Sequence, residues 1–118
     1  MSSEDPRVAD WLRDIVDNAA AAEEYVRGIS FAQFKLDRMR IDAVERCLMR
    51  LTEAAIRIGE DRMTQIVPDT PMHQLRGLGN ILRHAYDAID PAVVWATVTD
   101  DLPGFRSACE RALAGMGS

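Results

Sequence analysis

The sequence predicts an all-α fold, and three observations carry that prediction. Apolar residues recur at alternating spacings of three and four along most of the chain. No segment alternates with period two over the length of a strand. Every turn signal, whether a glycine, Asp-Pro or Thr-Pro, separates two helical patterns. The expected architecture is a bundle of two long antiparallel helices with three shorter helices packed across them. The 118 residues suffice for one modest core, so residues 1–118 are read as a single domain.

The first helix is predicted from Pro6 to Arg27. Asp5 caps it, proline follows at the first helical position, and Gly28 ends it. Val8, Leu12, Ile15, Ala19, Ala22 and Val26 form its apolar stripe, flanked by Trp11 and Tyr25. Ser30-Phe-Ala-Gln33 has the form of a capping box. It opens a second long helix, read as continuous to Ile58 with Gly59 as the stop. Ile41, Val44, Leu48, Leu51, Ala55 and Ile58 carry its buried stripe. Arg46, Arg50 and Arg57, with Glu53 among them, make a second stripe, read as a solvated face held by i,i+4 ion pairs.

Residues 60–69 read as a polar connection. Thr70-Pro71 opens the third helix and Asp90-Pro91 a short fourth, from Ala92 to Thr99. Val93, Val94, Trp95 and Val98 are apolar nearly all round the fourth helix, which predicts burial. Asp100-Asp101-Leu-Pro103 starts the fifth, with Leu102, Phe105, Cys109, Ala112 and Met116 pointing inward.

Composition narrows the function. The net charge of −5 argues against an avid, non-specific nucleic-acid binder, so any contact with RNA must be local. No apolar run approaches the roughly 20 residues needed to span a bilayer. The N-terminal MSSEDPRVAD lacks a basic region followed by an apolar one, so no secretion signal is read and a cytoplasmic location is expected. Cys47 and Cys109 show no ligand spacing; they read as buried small hydrophobes in a reduced, metal-free protein.

The side chains that chemistry needs gather in the third helix, over Arg76-Gly-Leu-Gly-Asn-Ile-Leu-Arg-His-Ala-Tyr86. At about 100° per residue, Arg76, Asn80 and His84 share one face, joined by Arg83 and extended by His73. Leu75, Leu78, Leu82 and Ala85 line the opposite side. Both histidines of the chain lie on the polar stripe. Gly77 and Gly79 each cost about 1 kcal/mol relative to alanine inside a helix. Close approach by another helix or by a phosphate would offset that. Tyr86 stands where the helix is expected to end, ahead of Asp90-Pro91.

Several phrases together resemble the HepT-like toxins of the HEPN superfamily. They are Ser30-Phe-Ala-Gln-Phe34, Asp42-Ala-Val-Glu-Arg46, Thr52-Glu-Ala-Ala55, Gly79-Asn-Ile-Leu-Arg-His-Ala-Tyr86, Asp90-Pro-Ala-Val-Val-Trp95 and Asp101-Leu-Pro103, in order from about residue 7 to 114. The resemblance implies a HEPN-type bundle, a homodimer whose two sites face one another, an RNA substrate and a minimal nucleotidyltransferase antitoxin as partner. It implies endoribonuclease chemistry without a metal or other cofactor. The family's motif is an arginine, four to six residues, a histidine, any residue and a tyrosine. His84 and Tyr86 fit it, and Tyr86 would be the hydroxyl that the antitoxin adenylylates. Gly79 occupies the usual position of the arginine. The phosphate-holding role is then open between Arg76, on the face of His84, and Arg83, beside it. Glu53 matches a family glutamate near the site and is expected to orient a cation, Arg76 first; pairing with Arg50 or Arg57 is the plainer alternative. The second reading of the whole chain is a catalytically weak HEPN module that binds a nucleotidyltransferase or a nucleotide.

Overall fold

The computed structural model describes residues 5–69 and 90–116. Among them every regular element is helical. Helix α1 spans Pro6–Val26, α2 Phe31–Phe34, α3 Arg38–Ile58 and α4 Glu60–Ile66. After residue 90 come α5, Pro91–Ala96, a π-helical turn, Thr97–Asp101, and α6, Leu102–Met116. The third predicted helix lies outside the described residues.

Helix α1 forms as its sequence dictates. The Asp5 carboxylate accepts the Arg7 backbone N–H at 2.9 Å, satisfying one orphan donor of the first turn. Gly28, at φ +78°, makes the left-handed exit after Val26. The stripe of Val8, Leu12, Ile15, Ala19, Ala22 and Val26 is buried as expected. Its main partner is the buried face of α3, comprising Ile41, Val44, Cys47, Leu48, Leu51, Thr52, Ala54 and Ala55. The chain reverses between the two helices, and Arg40 at the start of α3 donates to the Tyr25 carbonyl near the end of α1 at 2.7 Å. Each fully buried leucine or isoleucine on this seam contributes about 1.5–3 kcal/mol.

The second long helix is not continuous. The capping box forms in full: Ser30 Oγ accepts the Gln33 N–H at 3.2 Å, and the Ser30 N–H donates to Gln33 Oε1 at 2.9 Å. Yet α2 ends at Phe34. Asp37 then caps α3, its carboxylate accepting the Arg40 N–H at 3.1 Å. The break turns the fully buried Phe34 into the core, where it packs with the Trp95 ring at 5.3 Å, and Phe31 meets the same ring at 5.9 Å. A second cap within seven residues of the first is the local competitor that broke the helix.

Gly59 stops α3, as predicted, at φ +99°. Residues 60–66, read as connection, form α4 instead. Glu60 and Asp61 favour its first turn electrostatically, and Met63 is fully buried with Val67 nearly so, one turn apart. Two anchors in a polar stretch are too few to register as a periodic stripe.

The expected break between the fourth and fifth helices is also absent. Helical backbone runs from Pro91 to Met116 through the π-turn. Pro103 has no N–H, and its ring would crowd the carbonyl one turn back. The widened turn relieves this, with the Leu102 N–H reaching the Thr97 carbonyl. The Thr97 and Thr99 hydroxyls donate to the Val93 and Trp95 carbonyls, each at 2.8 Å. Burial here is one-sided: Val94 and Val98 are buried, while Val93 is 48% exposed. Leu102, Phe105 and Cys109 point inward against α1, with Ala112 and Met116 partly buried beside them. Arg106 Nε ties α6 to Glu23 of α1 at 2.5 Å.

Candidate functional site

Arg76, Asn80, Arg83, His84 and Tyr86, with His73, Gly77 and Gly79, lie outside the described residues. The structure does describe the two anchors from which that segment departs and to which it returns. On the upstream side, Met63 and Val67 sit in the core, and the Val67 N–H donates to the Met63 carbonyl at 2.8 Å. On the downstream side, Asp90 caps α5 by accepting the Ala92 N–H at 2.9 Å. Trp95, one turn on, is held between Phe31 and Phe34.

Glu53 is the one predicted site residue in view. It is exposed on α3, and among the described residues it forms no ion pair with Arg50 or Arg57. The plainer alternative for Glu53 is therefore not formed. Nor are the expected i,i+4 pairs on this stripe: Arg46, Arg50 and Arg57 are exposed, and no carboxylate among the described residues pairs with them. Periodicity located the stripe correctly but could not say that its charges stand apart.

Neighbouring Glu45 behaves differently. It lies one turn from both Ile41 and Leu48, and its Oε2 is buried without a hydrogen-bond partner. Burial raises its pKa, and the Asp42 charge adds to the rise while Arg38 opposes it. Thr52, fully buried one turn beyond Leu48, satisfies its own hydroxyl by donating to the Met49 carbonyl at 2.9 Å.

Thiol chemistry is not offered by these helices. Both cysteines are buried and free. Burial pushes the Cys109 thiol up to about 12, with the Glu110 charge adding to it. Burial also raises Cys47, against the opposing charge of Arg50. A shallow groove of about 450 Å³ runs between α4 and α6, lined in part by Arg62, Gln65, Arg111 and Met116. Among the described residues its lining includes no histidine, carboxylate or thiol, and so no group suited to proton transfer near neutral pH.

The family model for Ribonuclease HepT-like proteins matches residues 15–112, from the middle of α1 to the last turn of α6. The chain belongs to the ribonuclease HepT-like family. Two relatives give the same answer at the level of whole sequences. A protein of Thermococcus cleftensis named as a candidate ribonuclease HepT is 32% identical over 102 residues, covering 86% of this chain and 92% of its own. A Methanocaldococcus jannaschii protein named as a candidate RNase is 33% identical over 100 residues, covering 85% and 91%. The HepT-like match spans both described stretches and the segment between them, so it includes the positions of His84 and Tyr86.

Proposed function

We propose that this chain is the toxin of a HEPN and minimal-nucleotidyltransferase pair, a metal-independent endoribonuclease active as a homodimer. Residues 1–118 are taken as one HepT-like domain. The observation that supports this most is the family match over residues 15–112 together with His84-Ala85-Tyr86 inside it. A histidine with an ordinary pKa near 6.5 exchanges protons at neutral pH. In the proposed reaction the ribose 2′ oxygen bonds to phosphorus as the bond to the 5′ oxygen breaks. His84 handles a proton lost by the first oxygen or gained by the second. A guanidinium, Arg76 or Arg83, holds the phosphate and offsets the charge that develops on it, with Asn80 adding a polar contact. Glu53 orients the guanidinium. Adenylylation of Tyr86 would set a bound phosphate beside these cations and occupy the site with the chain's own modification.

Gly79 favours a second reading. Where the family motif carries its arginine this chain has no side chain at all, which fits a catalytically weak module that binds the nucleotidyltransferase or a nucleotide. Induced expression alone and beside a neighbouring nucleotidyltransferase separates the two readings. The enzyme reading expects growth arrest and RNA cleavage when the chain is alone. With the partner it expects relief and an adenylate mass increment that Tyr86→Phe abolishes. Normal growth with intact RNA favours the binding module.

A further inference from the structure

Several of the described arginines are held by acids. Arg7, Arg13, Arg27, Arg38, Arg40 and Arg106 each pair with a carboxylate at 2.5–3.1 Å. Arg46, Arg50 and Arg57 pair with none among the described residues, and all three are exposed on α3. At 100° and 1.5 Å per residue they fall within a sector of about 40° and extend over about 16 Å of helix. Glu53 is the one acid on the same line, so the stripe is cationic in a chain of net charge −5.

Unpaired guanidiniums in a row call for an anionic partner. Two such stripes face to face would bring like charges together, so the stripe does not pair with its own copy. A polyanion suits it, because three guanidiniums spread along one helix can meet several phosphates of a strand, which a single small anion cannot. We infer that Arg46, Arg50 and Arg57 form a phosphate track on α3 that holds the backbone of substrate RNA. This inference takes its substrate class from the ribonuclease reading. The track supplies positioning and affinity, while proton transfer stays with His84. Because phosphate contacts carry no sequence information, the track contributes binding without target choice.

The test uses the full chain and a labelled single-stranded oligoribonucleotide of about 20 nucleotides, longer than the roughly 16 Å of the stripe. Binding is followed by fluorescence anisotropy across a salt series, in a His84→Ala background that prevents cutting. R46Q/R50Q/R57Q should bind more weakly, and its slope of log affinity against log salt should be shallower by about 2, at roughly 0.7 per lost phosphate contact on a single strand. In a chain with His84 intact, the triple variant should raise KM for the long RNA with kcat retained. An unchanged salt slope in the triple variant overturns the track, and so does the absence of RNA binding by the parent chain. Competition by polyglutamate as effective as unlabelled RNA overturns the assignment in favour of an acidic protein surface. If RNA binds through the track but is never cut, the track stands and the ribonuclease reading fails. If RNA is cut equally by parent and triple variant, with one KM, the ribonuclease reading stands and the track fails.

Discussion

At the scale of single residues, chemistry and stability pull on different side chains. Removing one electrostatic stabiliser from an active site typically costs on the order of 10²–10³ in rate. If Arg76 replaces the motif arginine, Arg76→Ala should lose about that much RNA cleavage and Arg83→Ala far less. Equal cleavage by Arg76→Ala and the parent chain would reject the substitution. Gly79→Arg, which restores the family pattern, should raise the rate. Glu45 gives a test of stability instead. Its folded pKa is raised, so its favourable contribution is complete below the ordinary carboxyl range and is lost as pH rises through the folded value. Ionising this partly buried carboxylate costs stability, because burial and the Asp42 charge both disfavour the anion. Glu45→Gln should therefore raise the melting temperature by a few degrees at pH 7, and the gain should shrink towards pH 4. A lower melting temperature at pH 7 would contradict this account of Glu45.

At the scale of elements, the sequence was most readable where one strong signal acted without a competitor. Helix α1 has a cap, a proline at its first position, an unbroken six-residue stripe and a glycine exit, and its start and stripe match the reading. Where two signals compete, the reading failed. The Ser30 capping box and the Asp37 cap each start a helix, and periodicity alone joined them into one. Asp100-Asp101-Leu-Pro103 has the form of a helix start, yet the threonine hydroxyls and a π-turn carry the helix through it. Helix α4 escapes a periodic reading because its fully or nearly buried anchors are Met63 and Val67, with Ile66 partly buried beside them. The Met63 anchor can be tested. Truncating a fully buried methionine to alanine typically costs about 2–5 kcal/mol. Met63→Ala should lower the denaturation midpoint by a corresponding amount, whereas a change within about 0.5 kcal/mol would show that α4 adds little to the core.

At the scale of the whole molecule, the described helices share one hydrophobic cluster, from Val8 of α1 to Cys109 of α6. That scaffold ties down both Val67 and Asp90, the ends from which the histidine-bearing segment is hung. The exposed place of Glu53 on α3 was legible, because a position on a long periodic helix follows from counting, whereas its part in a site came from the resemblance alone. The freedom of its arginine neighbours was not legible, since ion pairing depends on rotamers that spacing does not fix. Among the described residues no helix is long and apolar enough to cross a membrane. The central claim is that this HepT-like chain cuts RNA by proton transfer at His84 without a metal. The most direct measurement is the initial rate of RNA cleavage by the purified chain in EDTA, compared with His84→Ala under the same conditions. The account predicts a parent rate indifferent to EDTA and a loss on the order of 10²–10⁴ in His84→Ala. Inhibition of the parent chain by EDTA, or an undiminished rate in His84→Ala, would contradict it.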